Sequence, residues 1–586
     1  MDIFSILTLI GGLALFLYGM NEMGDGLKKL SGGKLESILS RLTSTRFKAF
    51  FLGFVVTAII QSSSATTVML VGFVNSGIMK LGQTLSIIMG ANIGTTVTSW
   101  LLSLTGISGS SFFIRIFKPE SFTPILAAIG IIMTMVAHSD KKKDIGKILL
   151  GFAVLMFGME TMSDSMSGLK DSPSFAKMMT MFDNPILGIL SGTILTAIIQ
   201  SSSASVGILQ ALSLTGAIPV STAIPIILGQ NIGTTITPIL SSINGNTDSK
   251  RVALACLYIK MLGVIIVGVV FYAICAFVKL PFMGINASPF NIAVIHTLFN
   301  IISTIILMPF CSFIEKLTIL SVKEKNKSKA GKKTTFRTLD ERFLAAPSFA
   351  VETCRQVVSE MAAISKKTML DSMSLIDAYD EKLASDVIAN ETEIDEYEDA
   401  TSSYLLQISE QDLSQKDSRE VSQLLHVVGD VERIADHAVN IMGAAKEIHN
   451  KNISFSKEAQ REISIMANAV REILSLAVEA LINEDLNVAK KVEPLEQIID
   501  KLNHKIKKNH IERLRTGNCT IELGFVLSDI LTNFERVSDH CSNIAVCLLE
   551  IENNSLQTHE YLSNVKETGA NEFFEFYDMY KKRYSL

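Results

Sequence analysis

The chain has one tryptophan and 7 cysteines among 586 residues, and no two of those cysteines form a CxxC pair. Neither a zinc ribbon nor a disulfide scaffold is indicated, and most of the thiols are expected to be buried apolar groups. No Gly-x4-Gly-Lys-Ser/Thr loop occurs, which removes the phosphate cradle of a nucleotide-driven pump. Nothing in the sequence points to nucleic acid, and no constellation suggests an enzyme. The N-terminus has neither a positively charged leader nor a small-residue cleavage site, so Ile3 to Met20 is expected to be a retained helix. After about residue 317 there is no apolar run long enough to span a bilayer.

What is present divides in two. Charged residues make up 19% of the chain and the mean hydropathy is +0.35, values that fit an average over two unlike halves. Long apolar segments run through Ile3 to Met20, Phe47 to Ile60, Phe122 to Val136, Ile145 to Met159, Ile186 to Ile199, Val252 to Val278 and Asn291 to Ile314. Several approach the ~20 residues that a spanning helix needs. A membrane domain is expected over 1–316, a basic linker over 317–342, a helical domain over 343–553 and a tail over 554–586. The linker run Lys323 to Lys333 could also touch anionic lipid headgroups.

The membrane half is duplicated. TAIIQSSSA at Thr57 to Ala65 recurs at Thr196 to Ala204, 139 positions later, and the same offset carries Gly19-Met20 onto Gly158-Met159 and Asn92-Ile93-Gly94-Thr95-Thr96 onto Asn231-Ile232-Gly233-Thr234-Thr235. The repeats are expected over about 1–139 and 140–278, with a final span at 291–314. Only 31 positions separate Gln61 from Asn92, and glycines interrupt them. Re-entrant hairpins and half-helices fit this stretch better than full crossings. Broken helices aim backbone N–H groups and the positive end of the helix dipole at the membrane centre, where Ser62, Ser63, Ser64, Ser201, Ser202 and Ser203 could join them to receive a small oxyanion. Gln61, Gln200, Thr66, Thr95, Thr96, Thr234 and Thr235 offer neutral oxygens, and neither core motif contains Asp or Glu. Such ligands suit a sodium ion.

Loop charge sets the orientation. Six basic residues against three acidic ones between Asn21 and Lys48 place that loop inside, and Glu160 to Asp183, with four acidic residues against Lys170 and Lys177, is placed outside. Asp140 to Lys147 and Lys316 to Arg337 are basic and are placed inside. Equivalent helices then cross in opposite directions, so the repeats are inverted, as expected for alternating access around a midplane site.

QSSSATT and QSSSASV, followed by GANIGTT and GQNIGTT, resemble the paired signature of the type II sodium/phosphate cotransporter family in its bacterial branch. The resemblance implies sodium-coupled movement of inorganic phosphate. It places Gln61 to Ser64 and Gln200 to Ser203 at the substrate and ion site, with Asn92, Thr95, Asn231 and Thr234 in support. The second copy has Ser205 and Val206 where the first has Thr66 and Thr67, so a ligand role for either threonine is not shared symmetrically. His296 and Asn300 lie one turn apart in the last span. They read either as an ion path or as a neutral imidazole bonded to Asn300 or a carbonyl.

Beyond Phe343 apolar residues recur at helical spacing. Glu432-Arg433-Ile434-Ala435-Asp436-His437 recurs 103 positions on as Glu535-Arg536-Val537-Ser538-Asp539-His540, and Glu391/Asp395 recurs 105 positions on as Glu496/Asp500. Each i, i+4 pair shares one helix face. The four pairs are either solvated faces or ligands for a multivalent cation such as Mg, Mn or Fe. Two such repeats resemble the PhoU family, which implies two three-helix bundles, acidic metal sites and partners in phosphate signalling. The overall expectation is an all-α, multi-pass cell-membrane protein: a carrier of phosphate and sodium whose cytoplasmic helical domain regulates it. Homo-oligomerisation is left open. The alternative is a membrane-anchored sensor or scaffold that keeps the carrier fold.

Overall fold

A chain this apolar has to satisfy its backbone hydrogen bonds within each segment, and in the computed structural model every regular element among the described residues is a helix. The structure describes residues 3–31, 45–107, 118–167, 184–323, 339–517, 519–553 and 570–586. The chain divides into two units, Met1–Phe349 and Ala350–Leu586.

In the first unit the repeats give matching helices. Ile3–Ser31 (α1), Arg46–Ile60 (α2), Ser63–Asn75 (α3), Leu81–Gly94 (α4), Thr96–Ser103 (α5) and Pro119–Val136 (α6) form the first series. Asp140–Met166 (α7), Pro185–Ile199 (α8), Ser202–Leu214 (α9), Val220–Gly233 (α10), Ile236–Ser242 (α11) and Thr247–Phe277 (α12) form the second. Pro289–Leu307 (α13) and Cys311–Ser321 (α14) follow. Seven helical stretches among the described residues are long and apolar enough to cross a membrane, whereas α3, α8 and α9 are shorter apolar helices. Large apolar side chains such as Ile132, Ile186, Ile198, Val269 and Phe277 lie exposed on outer faces, where lipid is the natural solvent.

Glycine reveals the relation between the repeats. Gly12 and Gly19 of α1 become Gly151 and Gly158 of α7 under the 139 offset. A Cβ at Gly158 would come within 2.8 Å of the Gly12 carbonyl oxygen, and a Cβ at Gly151 within 2.9 Å of the Gly19 carbonyl oxygen. Each glycine thus faces the mate of the other one, which requires the two equivalent helices to run antiparallel. The repeats are inverted. Backbones can approach this closely only because no side chain intervenes.

A second antiparallel pair lies on the same pseudo-two-fold. The helix α12 packs on α3, α4, α10 and α11, whereas α13 packs on α9, α10, α4 and α5. The 139 offset turns the first set into the second. A Cβ on Gly263 of α12 would run into Ser303 of α13, 40 positions on. The final span expected to stand outside the duplication is therefore the structural mate of α12. Sequence offset alone pairs α12 with α6, which packs on α7 instead.

The boundary near residue 317 also moves. α14 runs through it, and residues 339–349 pack within the first unit, so the linker expected over 317–342 ends earlier. Asn75 donates to Asp340 at 2.7 Å, Arg342 pairs with Asp340 at 2.8 Å and donates to the Ser241 carbonyl at 2.9 Å, and Phe343 is buried against Phe73 and Phe349. One buried aromatic and one shielded ion pair hold a segment whose sequence reads as an extension of a charged linker. Residues 324–333 of the basic run, and the loop residues Lys34, Arg41, Lys170 and Lys177, lie outside the described residues.

The second unit holds Pro347–Asp377 (α15, apart from its first turn), Glu381–Ser409 (α16) and Gln415–Lys451 (α17), then Lys457–Asn483 (α18), Val492–Arg515 (α19) and Ile521–Asn553 (α20). Leu375, Ala384, Val387, Met442 and Ala445 join the first three helices in one apolar cluster. The second three pack on one another, and α17 packs on α20. Two three-helix bundles result. The tail contributes a helix: Ala570–Arg583 (α21) packs on α19 and buries Tyr580, while Arg583 pairs with Glu472 at 2.6 Å.

Replacing Gly19 by Leu would wedge α1 away from α7. Overpacking of this kind costs about 1–3 kcal/mol or more, so the detergent-solubilised protein should melt at a clearly lower temperature, whereas Gly11→Leu, whose Cβ meets nothing within 4 Å, should melt like the parent.

Candidate functional site

Each QSSS motif begins where a helix stops. Gln61 caps α2 at φ 59°, ψ 21°, and Gln200 caps α8 at φ 58°, ψ 17°. Among the described residues of the first unit these are the only non-glycine residues in the left-handed region. Such a conformation costs ~1–3 kcal/mol and persists only where its surroundings enforce it. The next serine opens a new helix: Ser62 accepts from the Ala65 N–H at 3.1 Å and Ser201 from the Ala204 N–H at 3.2 Å. Two re-entrant helices, α3 and α9, thus start with serine-capped N-termini, the positive ends of their dipoles.

Tertiary structure joins the two motifs through a residue that the motifs do not contain. Thr98 donates to Gln61 Oε1 at 2.7 Å, and Ser203 donates to Thr98 Oγ1 at 3.4 Å. Gln61 also donates its Nε2 to the Ala58 carbonyl. The second copy is arranged differently: Gln200 is exposed, and the Thr237 hydroxyl, at the mate of Thr98, is buried without a partner. Ser63, Ser202 and Ser203 are buried, while Ser62, Ser64 and Ser201 are partly so.

Thr66 and Ser205 do one job in both copies. Thr57 donates to Thr66 at 3.1 Å and Thr196 donates to Ser205 at 2.8 Å, which ties each half-helix to the helix before it. Thr95, Thr96, Thr234 and Thr235 donate to carbonyls three or four residues back, at 2.7–3.0 Å. Their hydroxyl protons are thereby spent and their lone pairs remain. Asn231 donates to the Ile227 carbonyl at 2.9 Å, while its mate Asn92 is partly exposed.

His296 is buried and bonds Ser99 Oγ through Nδ1 at 2.9 Å, whereas Asn300 donates to the His296 carbonyl at 2.8 Å. The imidazole therefore reaches a neighbouring half-helix rather than Asn300. Sequence reasoning missed Gln210, which donates to the Ser99 and Pro289 carbonyls at 3.0 and 2.9 Å, and Gln230, which donates to the Ser205 carbonyl at 2.9 Å. Their signal was a glutamine in one copy against Val71 or Ala91 in the other.

In the second unit the acidic pairs combine across helices. Glu391 and Asp395 of α16 meet Asp436 of α17, and Glu496 and Asp500 of α19 meet Asp539 of α20; in each triad the donor oxygens lie within 4.8 Å of one another. Glu432 stands beside the first triad. Burial, with Asp436 next to it, pushes the Glu432 carboxyl up to about 7, and burial, with Glu493, Asp500 and Asp539 nearby, pushes Glu496 up to about 8. Glu535 is held by Asn503 and, at 4.0 Å, by Lys507. The histidines of the two ERxxDH motifs leave the triads altogether. His437 bonds Asn533 at 2.8 Å and His540 bonds Asp430 at 2.8 Å, a reciprocal pair between α17 and α20.

Carboxyls held above their ordinary value keep protons in the folded state that the unfolded chain has released. Without divalent cation, stability of the second unit should therefore fall as pH rises from the ordinary 4.5 towards about 8. Thermal melts of the whole protein in chelator should show this decline and Glu496→Gln should flatten it. Added manganese should restore stability at high pH and lose its effect as protons compete below about 7.

Comparison with known proteins follows the same division. The Na+/Pi-cotransporter family model matches residues 15–164 and 154–287, two matches whose starts are again 139 apart, and the PhoU domain model matches residues 358–445 and 463–548. The chain is 22% identical over 575 residues to "Putative inorganic phosphate export protein YjbB" of Escherichia coli (strain K12), covering 95% of this chain and 100% of that one. It is 29% identical over 314 residues to the uncharacterized protein YqeW of Bacillus subtilis (strain 168), covering 53% and 96%. Over 214 residues it is 28% identical to the phosphate-specific transport system accessory protein PhoU homolog 1 of Thermotoga maritima, covering 36% and 90%. With its apolar helices, inverted repeats and paired QSSS breaks, this multi-pass membrane chain carries a Na+/Pi-cotransporter family domain over residues 15–287 and a duplicated PhoU domain over residues 358–548.

Proposed function

We propose that the chain couples sodium to the movement of inorganic phosphate by alternating access, and that its PhoU unit regulates the carrier from the cytoplasm. The observation that carries this reading is the link Gln61–Thr98–Ser203, which brings the start of one re-entrant helix to the start of the other. Two serine-capped N-termini supply N–H and O–H donors for an oxyanion. Threonine oxygens with spent protons, and the Asn and Gln amide oxygens, supply neutral hard ligands for sodium. The asymmetry between an engaged Gln61 and an exposed Gln200 fits a site closed on one side and open on the other.

Basic loops at 21–48 and 140–147 support a cytoplasmic location for the second unit. There the two triads would hold Mg, Mn or Fe, and each offers the carboxylate oxygens that such ions take. The metal would supply charge compensation between α16 and α17 and between α19 and α20. The intact duplicate motifs favour a carrier over a sensor that has lost transport.

Reconstituted vesicles test the reading. Radiolabelled phosphate should move when sodium is present and stop in choline buffer, even under a proton gradient; equal flux in choline would sink sodium coupling. Thr98→Val removes a donor on which both motifs converge. Loss of such a buried bond costs ~1–3 kcal/mol, so the apparent affinity for phosphate should fall roughly 5- to 100-fold with a monodisperse protein retained.

A further inference from the structure

Lys260 is a charged residue in the middle of α12, one of the most apolar helices of the chain, and its side chain is only 8% exposed. It donates to Thr234 Oγ1, and among the described residues no carboxylate pairs with it. An ammonium buried in a membrane helix without a counter-charge is expensive and marks a functional position. Its place is specific. Thr234 caps the C-terminus of α10, at the break before α11, where the negative end of a helix dipole favours a cation. Thr234 spends its own proton on the Asn231 carbonyl at 2.8 Å and so meets the ammonium as an acceptor.

The pseudo-two-fold supplies the comparison. CLYIK at Cys256 to Lys260 and HTLFN at His296 to Asn300 stand 40 positions apart, the same spacing as Gly263 and Ser303, which face each other where α12 crosses α13. Lys260 of one half therefore answers to Asn300 of the other. Asn300 is 3% exposed and turns its Nδ2 to the His296 carbonyl, which leaves the Oδ1 lone pairs for another partner. The α13 helix that carries Asn300 packs on α4 and α5, which meet at Thr95, as the α12 helix that carries Lys260 packs on α10 and α11, which meet at Thr234. One half thus presents a neutral oxygen set at its helix break and the other presents a similar set with a cation already attached.

We propose that the Lys260 ammonium is a built-in cation of the carrier, which takes at the second helix break the place of a sodium ion that the first half binds with Asn300. The two halves of the site then couple unequally to sodium. This rests on the sodium-coupled reading given above.

The test measures sodium and phosphate uptake together, with both isotopes, in vesicles that contain the full chain. Lys260→Asn makes the second half match the first, and it should carry about one more sodium ion per phosphate, because a buried charge that is removed has to be replaced. Lys260→Arg keeps the charge and should keep the parental ratio. If Lys260→Asn does not yield monodisperse protein, Lys260→Gln carries the same expectation. An unchanged ratio in the neutral variants, with or without a raised KM for phosphate, would overturn the proposal and leave sodium coupling intact. Sodium-independent flux in the parent together with sodium-dependent flux in Lys260→Asn would overturn the coupling reading and, with it, the sodium site assigned to Asn300. Sodium-independent flux in both proteins would overturn both.

Discussion

A peptide group without a hydrogen-bond partner cannot be left facing hydrocarbon, and the membrane half of this protein is organised around two places where the helical ladder is nevertheless interrupted. Gln61 and Gln200 turn the chain through the left-handed region, and their N–H groups still close onto the Thr57 and Thr196 carbonyls at 2.9 and 2.7 Å. The serines that follow cap the next helices at once. The break is thus confined to about one residue, and the N–H groups it frees are those at the two serine-capped helix N-termini. Glycine crossings, threonine ties and the Thr98 bridge serve to hold those N-termini in place against the strain of the turns.

Duplication built the frame of broken helices, and departures from symmetry make its two halves unlike. Both halves share the turn, the cap and the tie between half-helix and preceding helix, even where Ser205 replaces Thr66. They differ in what lies around that frame. Gln61 is engaged and Gln200 exposed, Thr98 is bonded and Thr237 is not, and Lys260 meets Thr234 at one helix break only. The differences are few and polar, and they cluster at the helix breaks.

The second unit shows a similar economy. Its ERxxDH motif is split by geometry, the Asp going to a carboxylate triad and the His to the contact between α17 and α20. The two functions share one helical turn, so a change of charge in a triad lies next to the bonds that join the bundles. Burial, with like charges close by, raises the protonation range of Glu432 and Glu496, and either protons or a cation offset that cost.

The sequence by itself determined the two-part organisation, the duplication, the inversion through loop charge, the broken helices, and which serine, glutamine and acidic residues recur in both copies, because periodicity and repetition are one-dimensional properties. Only the tertiary structure decided which of these groups meet. Thr98, Gln210 and Lys260 carry no motif of their own; each matters through a partner 26 to 111 positions away. The same holds for the pairing of α12 with α13, which the 139 offset concealed, for the anchoring of Phe343 at the end of an apparent linker, and for the docking of α21 from a tail without a repeat. Burial and hydrogen bonding depend on distances through space, and a sequence records only distances along the chain.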